Sequence, residues 1–397
     1  MTGRRRFGDD ERRARLGLRH HLGRPAPSIE SAAGDLVGLH SSDPATVVLS
    51  ARARRPEAGV EELEHALYEA RTLVRLLGMR RTMFVVPRDL AGVIDASCGR
   101  ELGRAERKRL LAMIESSGAA GRRRPDRWLA AVEDRTVAAL AEHGPAAAAE
   151  LKDHVPELGL KLTAAEGTKW AAEVGVSSRV LGLLAMDGRI VRSRPRGSWL
   201  SSQYRWARTE DWLGEPFAAP APEAARSDLL RRWLWSFGPA PVSDLKWWTG
   251  WTLGATRAAL AAVDAVSVDL PDGEGWALAD DLEPVGAPAP WVALLPSLDP
   301  TPMGWKERSW YLRPEHVSAL FDNSGNIGPT VWVDGRIVGG WGQGPDGTVA
   351  YRLLADVGSE AQVSIAAEAA ALTDWLGGVV VTPRFPTPID KELRSGV

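Results

Sequence analysis

A short pattern that occurs twice restricts what this chain can build. Gly144-Pro145-Ala146, followed by Glu150-Leu151, returns 94 residues later as Gly238-Pro239-Ala240, followed by Asp244-Leu245. A long helical stretch precedes each copy, ending at His143 in one and Phe237 in the other. Proline cannot continue a helix, so Gly-Pro forces a turn at the same point of both units. Further helical sequence follows, Ala146 to Val155 and Thr168 to Met186 in the first copy and Thr252 to Val263 in the second. Each copy then ends in two strand-like runs about a turn. The first pair is RIVRSRP and WLSSQYRWA around Arg196-Gly197-Ser198; the second is AVSVDL and WALA around Pro271-Asp272-Gly273. Self-similarity at a fixed spacing means one supersecondary unit used twice. Helices closed by a strand pair outline a winged helix, so tandem winged-helix modules are expected.

The remaining segments extend that plan. Residues 9–22 have helical periodicity with Asp9 and Asp10 at the positive end, and Pro25 and Pro27 stop them. Ser28 is placed to cap a second helix through Leu36, Pro44 opens a third, and Val60 to Ala70 forms a fourth. LVRLLGMRRTMFVVP then reads as paired strands turning near Gly78, which makes a third winged-helix outline at the amino end. A boundary is expected at Gly121-Arg122-Arg123-Arg124-Pro125, with Pro/Ala-rich linkers at 209–222 and 283–290. Beyond them, WVALLPSLDP, TVWVDGRIVGGW with a hairpin at Asp334-Gly335, TVAYRLLADV and GVVVTP read as strands, with a helix from Ser364 to Leu376. The fold class is therefore α+β: three winged-helix modules (1–125, 126–222 and 223–284) and a small β-rich, barrel-like domain (285–397).

Composition excludes several functions. One cysteine, Cys98, rules out a disulfide framework and a cysteine-based zinc site, and no HExxH-type cluster offers a metal another home. Neither a metal nor an organic cofactor is expected. Pro345-Asp346-Gly347 turns the Gly339–Gly344 stretch back into strand, so it is not a dinucleotide loop. The 17 tryptophans are spread along the chain as core filling. No run approaches the ~20 apolar residues that span a bilayer, so a cytoplasmic protein without membrane contact is expected. Charge is uneven: residues 1–127 carry +8 and the remainder −10. A basic third on an acidic body points either to a polyanion partner or to solvated helix faces. Arg192, Arg194 and Arg196 on the first wing would lie beside phosphates, or else mark a plain basic hairpin. The second wing, with Asp269, Asp272 and Glu274, suits architecture better than phosphate reading.

The candidate site is Leu36 to Arg54, LVGLHSSDPATVVLSARAR. An apolar run ends in His40-Ser41-Ser42-Asp43, and Pro44 starts a helix that finishes in Arg52, Arg54 and Arg55. If this segment is extended, a period of two places His40 and Ser42 on one side, just ahead of the helix. The alternative is that Ser42 or Asp43 merely caps the helix and His40 is an ordinary partly buried histidine.

This stretch resembles the active-site segment of the AlkZ/YcaQ-like winged-helix DNA glycosylases. Their motif is Gln, a small or apolar residue, then Gln or Asp. Here His40 takes the first position, Ser41 the second and Ser42 the third, and Asp43-Pro44 continue the pattern. LVRLLGMRRTMFVVP, SFGPAPVSDLKWWTG, LLPSLDP, PTVWVDGRIVGGW and DWLGG carry the likeness through most of residues 10–380. The resemblance implies a monofunctional alkylpurine glycosylase that acts on bulky adducts in duplex DNA, with His40, Ser42 and Asp43 at the reaction centre. Arg52, Arg54, Arg55, Arg192, Arg194, Arg196 and the hairpin residue Arg336 would contact the DNA; for Arg336 the alternative is an ordinary Asp-Gly hairpin. The family's wide channel between modules implies handling of bulky bases without a tight flipping pocket.

The chemistry asked of such a site is modest. An N7- or N3-alkylated purine is cationic and leaves as a neutral base, so no general acid is needed. What remains is to stabilise the oxocarbenium ion and to position a water at C1′. A neutral His40, with an ordinary pKa near ~6.5, could take a proton from that water, and Ser42 could orient it. Two other readings stand beside this one. A non-catalytic winged-helix DNA binder accounts for the absence of the Gln/Asp pair, and a tryptophan-rich protein could sequester a DNA-reactive small molecule.

Overall fold

The structure is a computed structural model that describes residues 4–164 and 172–395. Two helices, α1 (Asp9–Arg19) and α2 (Ile29–Asp35), lead into the short strand β1 (Leu39–His40), and α3 (Pro44–Arg54) follows after a tight turn. Ser28 caps α2 by accepting the Ser31 N–H at 3.0 Å. The chain turns into β1 through Val37 and Gly38, with φ of +53° and +116°. A Cβ on Gly38 would lie 2.9 Å from the Val86 side chain, so glycine is needed there for both space and conformation. After α4 (Val60–Tyr68) come β2 (Leu73–Leu77) and β3 (Met83–Pro87). The three strands make one antiparallel sheet in the order β1-β3-β2, in which His40 faces Phe84 and Arg75 faces Val85. The hairpin expected near Gly78 is thus present, and β1 joins it on the β3 side.

Helix α3 is central. Nearly all its side chains are buried, the apolar ones among α2, α4 and the carboxy-terminal sheet. Two of its buried polar groups share one acid. Arg54 makes a two-pronged ion pair to Asp299 at 2.8 Å, and Ser50 donates to the same carboxylate at 2.7 Å, all fully buried. Burial alone would push Asp299 up, but the charge and hydrogen bond of Arg54, with the hydroxyl of Ser50, hold it below the usual carboxylate range.

Helices α5 (Arg88–Ile94) and α6 (Arg100–Ser117) connect to the first copy of the repeat. It consists of α7 (Pro125–His143), β4 (Ala146–Ala147), α8 (Leu151–His154), β5 (Lys161–Ala164), β6 (Ala172–Gly175), α9 (Val176–Met186), β7 (Ile190–Pro195) and β8 (Tyr204–Arg208). The short helix α10 (Thr209–Leu213) leads to the second copy: α11 (Pro222–Phe237), α12 (Val242–Thr249), α13 (Leu253–Ala262), β9 (Ala265–Leu270) and β10 (Gly273–Leu278). The residue after Gly-Pro does the same job in both. Ala146 pairs with Trp206 of the first hairpin, and Ala240 bridges to Trp276 of the second. That bridge fixes the strand pair against the helices, which explains why the motif recurs with its spacing. Three expectations change. Ala146 begins with a strand and only a short helix follows. Residues 172–175 pair with β5 instead of being helical, while 165–171 lie outside the described residues. The 209–222 linker contains α10.

The carboxy-terminal part contains β11 (Val292–Leu295), α14 (Val317–Leu320), β12 (Thr330–Val333), β13 (Arg336–Gln343), β14 (Val349–Leu353), α15 (Gly358–Leu376) and α16 (Pro388–Ser395). Its four strands form an open antiparallel sheet, β11-β12-β13-β14, with α15 and α16 packed on it; the described residues show no closing strand pair of a barrel. GVVVTP joins no sheet. The Gln343 side chain serves its backbone instead, accepting the Val381 N–H at 2.6 Å and donating to the Val379 carbonyl at 3.0 Å. Trp233, Trp305 and Trp332 are fully buried, and Phe237 bridges Trp233, Trp248 and Trp305 where the second repeat copy meets this part. Among the described residues no helix is long and apolar enough to cross a membrane.

Candidate active site

The β1–α3 turn separates its own residues by face. Directly opposed residues in a sheet share a face, and neighbours along a strand alternate. Leu39, Val85 and Arg75 form one row, so Ser41 projects on their side; its hydroxyl accepts the Arg75 Nε–H at 2.7 Å. His40 projects to the other side, where its ring meets Phe84 edge-on at 5.6 Å. His40 is only 5% exposed and its Nδ1 has no hydrogen-bond partner. Burial and the positive charge of Arg80 lower its pKa to about 3, so the imidazole is neutral across the physiological range.

Strand β1 ends at His40, so the extended geometry does not reach Ser42. The bend turns Ser42 into a cleft of 470 Å³ whose walls include Arg192, Arg196, Tyr204, Trp206 and Arg384. Asp43 is committed to structure. Its Oδ1 accepts the Ala45 N–H at 3.1 Å as the cap of α3, and its Oδ2 accepts the Arg384 N–H at 2.9 Å. Burial raises its pKa and the two backbone hydrogen bonds oppose that. A carboxylate holding two amides is poorly placed to serve as a base as well. Arg384 also donates from Nη1 to the Ser42 carbonyl at 3.2 Å, fixing the turn from the far end of the chain.

A family model described as DNA glycosylase AlkZ-like matches residues 33–375. The chain belongs to the AlkZ-like DNA glycosylase family. Among solved structures, the DNA glycosylase AlkZ of Streptomyces sahachiroi superposes with a TM-score of 0.72 at 19% identity, covering 95% of this chain and 98% of that one. At that identity the match speaks for the fold. No curated protein matches. The AlkZ-like match includes the β1–α3 turn and both repeat copies, while Arg384 lies beyond it.

Several arginines expected on an AlkZ-like DNA surface are occupied elsewhere. Arg54 is sealed in its pair with Asp299, Arg52 is tied to Glu368, and Arg55 pairs with Glu57 and Glu62 at 3.0 Å each. Arg52 and Arg54 are thus buried against acids of the carboxy-terminal part, while Arg55 remains partly exposed beside glutamates close by in the chain. On the first wing, Arg194 pairs with Glu64 and Glu69, and Arg196 with Glu150. Both remain exposed, and such surface pairs are weak enough to exchange for a phosphate. Arg192 has no carboxylate partner among the described residues. It lies 5.2 Å from both the Tyr204 and Trp206 rings, and burial followed by the charge of Arg75 lowers its pKa to about 10. Arg336 does not extend a free probe. Its hairpin tip abuts α1, where a Cβ on Gly335 would sit 2.6 Å from Arg13 Cβ, and its nearest acid is Asp10 at 3.9 Å.

The sequence reading missed Arg75, Arg80 and Arg384 as neighbours of the turn, and Arg308 as a neighbour of Arg80. Arg75 supports Ser41 while donating to the Tyr68 hydroxyl at 3.0 Å. A signal did exist for Arg80: Gly78-Met79-Arg80-Arg81 puts two cations at the tip of a hairpin otherwise built of apolar residues. No local pattern marks Arg384 or Arg308.

Proposed function

We propose that this protein is a DNA-repair glycosylase that hydrolyses the N-glycosidic bond of bulky N7- or N3-alkylated purines in duplex DNA. It acts as a monofunctional enzyme on a scaffold of three winged-helix modules, with boundaries near residues 125, 222 and 284, and a carboxy-terminal β-rich domain. It works as a cytoplasmic, nucleoid-associated monomer. The observation that carries the reading is the setting of the motif. The turn matching the family's catalytic positions opens at Ser42 onto a cleft walled by two aromatic rings and by Arg192 and Arg384, cations that lack carboxylate partners among the described residues. A polyanion with a flat, bulky base suits those walls.

The residues divide the work as follows. The cationic base needs no acid to leave, so the turn has only to hold a water against the forming oxocarbenium ion. Ser42 orients that water from the cleft side. His40 stands outside the cleft lining, its Nδ1 buried and unpartnered behind the turn, so it accepts from that water only once the turn shifts on binding the duplex. With a pKa of about 3 it is a poor proton store, so its part is hydrogen bonding instead of base catalysis. A neutral ring also places no positive charge beside the cationic sugar. Asp43 holds α3 and the Arg384 segment in place.

The test is release of free base from duplexes carrying a bulky N7-alkylguanine or N3-alkyladenine. Release by the wild type supports the reading. Salt-dependent duplex binding with no release from any adduct would favour the non-catalytic DNA-binding reading instead.

A further inference from the structure

The side of the sheet that holds His40 carries a cluster absent from the reading above. Arg80 stands at the tip of the β2–β3 hairpin with φ of +51°, and Arg81 follows at +61°. Two consecutive non-glycine residues in the left-handed region are strained, and such strain persists only where the surroundings fix it. Here the surroundings are α12 and the turn after it. The Arg80 guanidinium lies 3.8 Å from the centre of the Trp247 ring, and a Cβ on Gly250 would lie 3.6 Å from the Arg80 backbone nitrogen. Arg308, from the loop ahead of α14, lies 5.2 Å from the same ring and 5.2 Å from Phe321.

Among the described residues neither arginine has a carboxylate within ion-pair distance, although most arginines around α1 and α3 do. The Arg80 Nε is buried without a hydrogen-bond partner. Two like charges gathered on one indole with no counter-charge repel each other and favour an anion that can bridge them. Arg80 is held to about pKa 10, first by burial and then by Arg308, and it remains fully charged at neutral pH.

We propose that Arg80 and Arg308, steered by Trp247, form a clamp for a backbone phosphodiester of duplex DNA. The clamp lies on the face of the turn opposite the Ser42 cleft, so that the turn is engaged from two sides. This rests on the glycosylase reading for the identity of the polyanion. A planar guanidinium can give a phosphate two parallel hydrogen bonds, and the indole keeps each fork oriented.

The measurement is binding of the full chain to an undamaged duplex across a salt series. Each neutralised phosphate contributes close to one to the slope of log K against log salt. Arg80→Gln and Arg308→Gln should each weaken binding about tenfold at low salt, uniformly across sequences, and the two together should flatten that slope by about one. Arg308→Lys should keep the slope. Thermal unfolding identifies any variant that has lost its fold, and Arg308, not fully buried and outside regular structure, provides the reading if Arg80→Gln unfolds. A wild-type slope in the double variant, or wild-type affinity in Arg308→Gln, overturns the clamp, even if the protein excises bases. Flattened slopes in a protein that releases no base from any adduct would leave the clamp standing and remove the glycosylase reading.

Discussion

At His40 the surroundings decide the chemistry. Sequence placed an imidazole before a helix, with an ordinary pKa and a role as base. The Phe84 contact, the near-complete burial and the Arg80 charge make it a permanently neutral hydrogen-bonding group. Replacement by glutamine, which is neutral and has an amide oxygen to accept, should therefore retain most single-turnover base release. Replacement by alanine should slow it by about 10²-fold, the low end of the range for a positioned proton-transfer group. Release should also stay level from pH 8 down to about pH 5; a fall centred near the ordinary histidine pKa of ~6.5 would mean that His40 titrates in water and that the burial argument is wrong. Ser42 was legible because a polar residue ahead of Pro44 has few places to go. The split between His40 and Ser42 was not, since it depends on β1 ending one residue after it begins to pair.

Among the elements, α3 shows how far periodicity can mislead. Its run of Val47, Val48 and Leu49 with arginines at the end looked like an apolar helix presenting a basic tip. The arginines instead turn inward or pair across the surface, and Asp299, from LLPSLDP, is the partner that sequence could not place. Arg54→Met should destabilise the protein by about 3–5 kcal/mol, because it leaves Asp299 buried without its counter-charge. Chemical denaturation would check this, and a loss below about 1 kcal/mol would show that the pair is dispensable. The repeat was legible at the level of elements because Gly-Pro-Ala must turn and then pair. Its details were less so: Glu150 follows a two-residue strand whose partner, Trp206, lies some 60 residues downstream.

Across the whole molecule, part of the charge asymmetry neutralises itself. Arg15 and Arg19 meet Asp281, Arg54 meets Asp299 and Arg52 meets Glu368, so these cations of the basic third are paired with the acidic remainder. Among the arginines with no carboxylate partner in the described residues, Arg192 and Arg384 line the Ser42 cleft, and Arg80 shares the Trp247 ring with Arg308. Two buried histidines also set how the protein responds to acid. His20 and His40 are both lowered to about 3, chiefly by burial and then by Arg54 and Arg80 respectively. In the unfolded chain each would protonate near ~6.5, so the unfolded state binds more protons below that pH. Each histidine should then remove about 1.4 kcal/mol of stability per pH unit as pH falls from about 6.5 toward 3. Melting temperatures between pH 7 and pH 4.5 should fall accordingly, and less steeply in a stable His40→Gln variant. An unchanged slope would mean that His40 is accessible to protons in the folded state.

Cleavage of a glycosidic bond at the His40–Ser42 turn of this AlkZ-like chain can be followed in single-turnover assays on a duplex bearing one bulky N7-alkylguanine, with enzyme in excess. The wild type should free the modified base and leave an abasic site with an uncut strand. His40→Ala should slow release about 10²-fold, and Ser42→Ala should slow it less. Release by His40→Ala at the wild-type rate, or none by the wild type from a series of such adducts, would contradict cleavage at this turn.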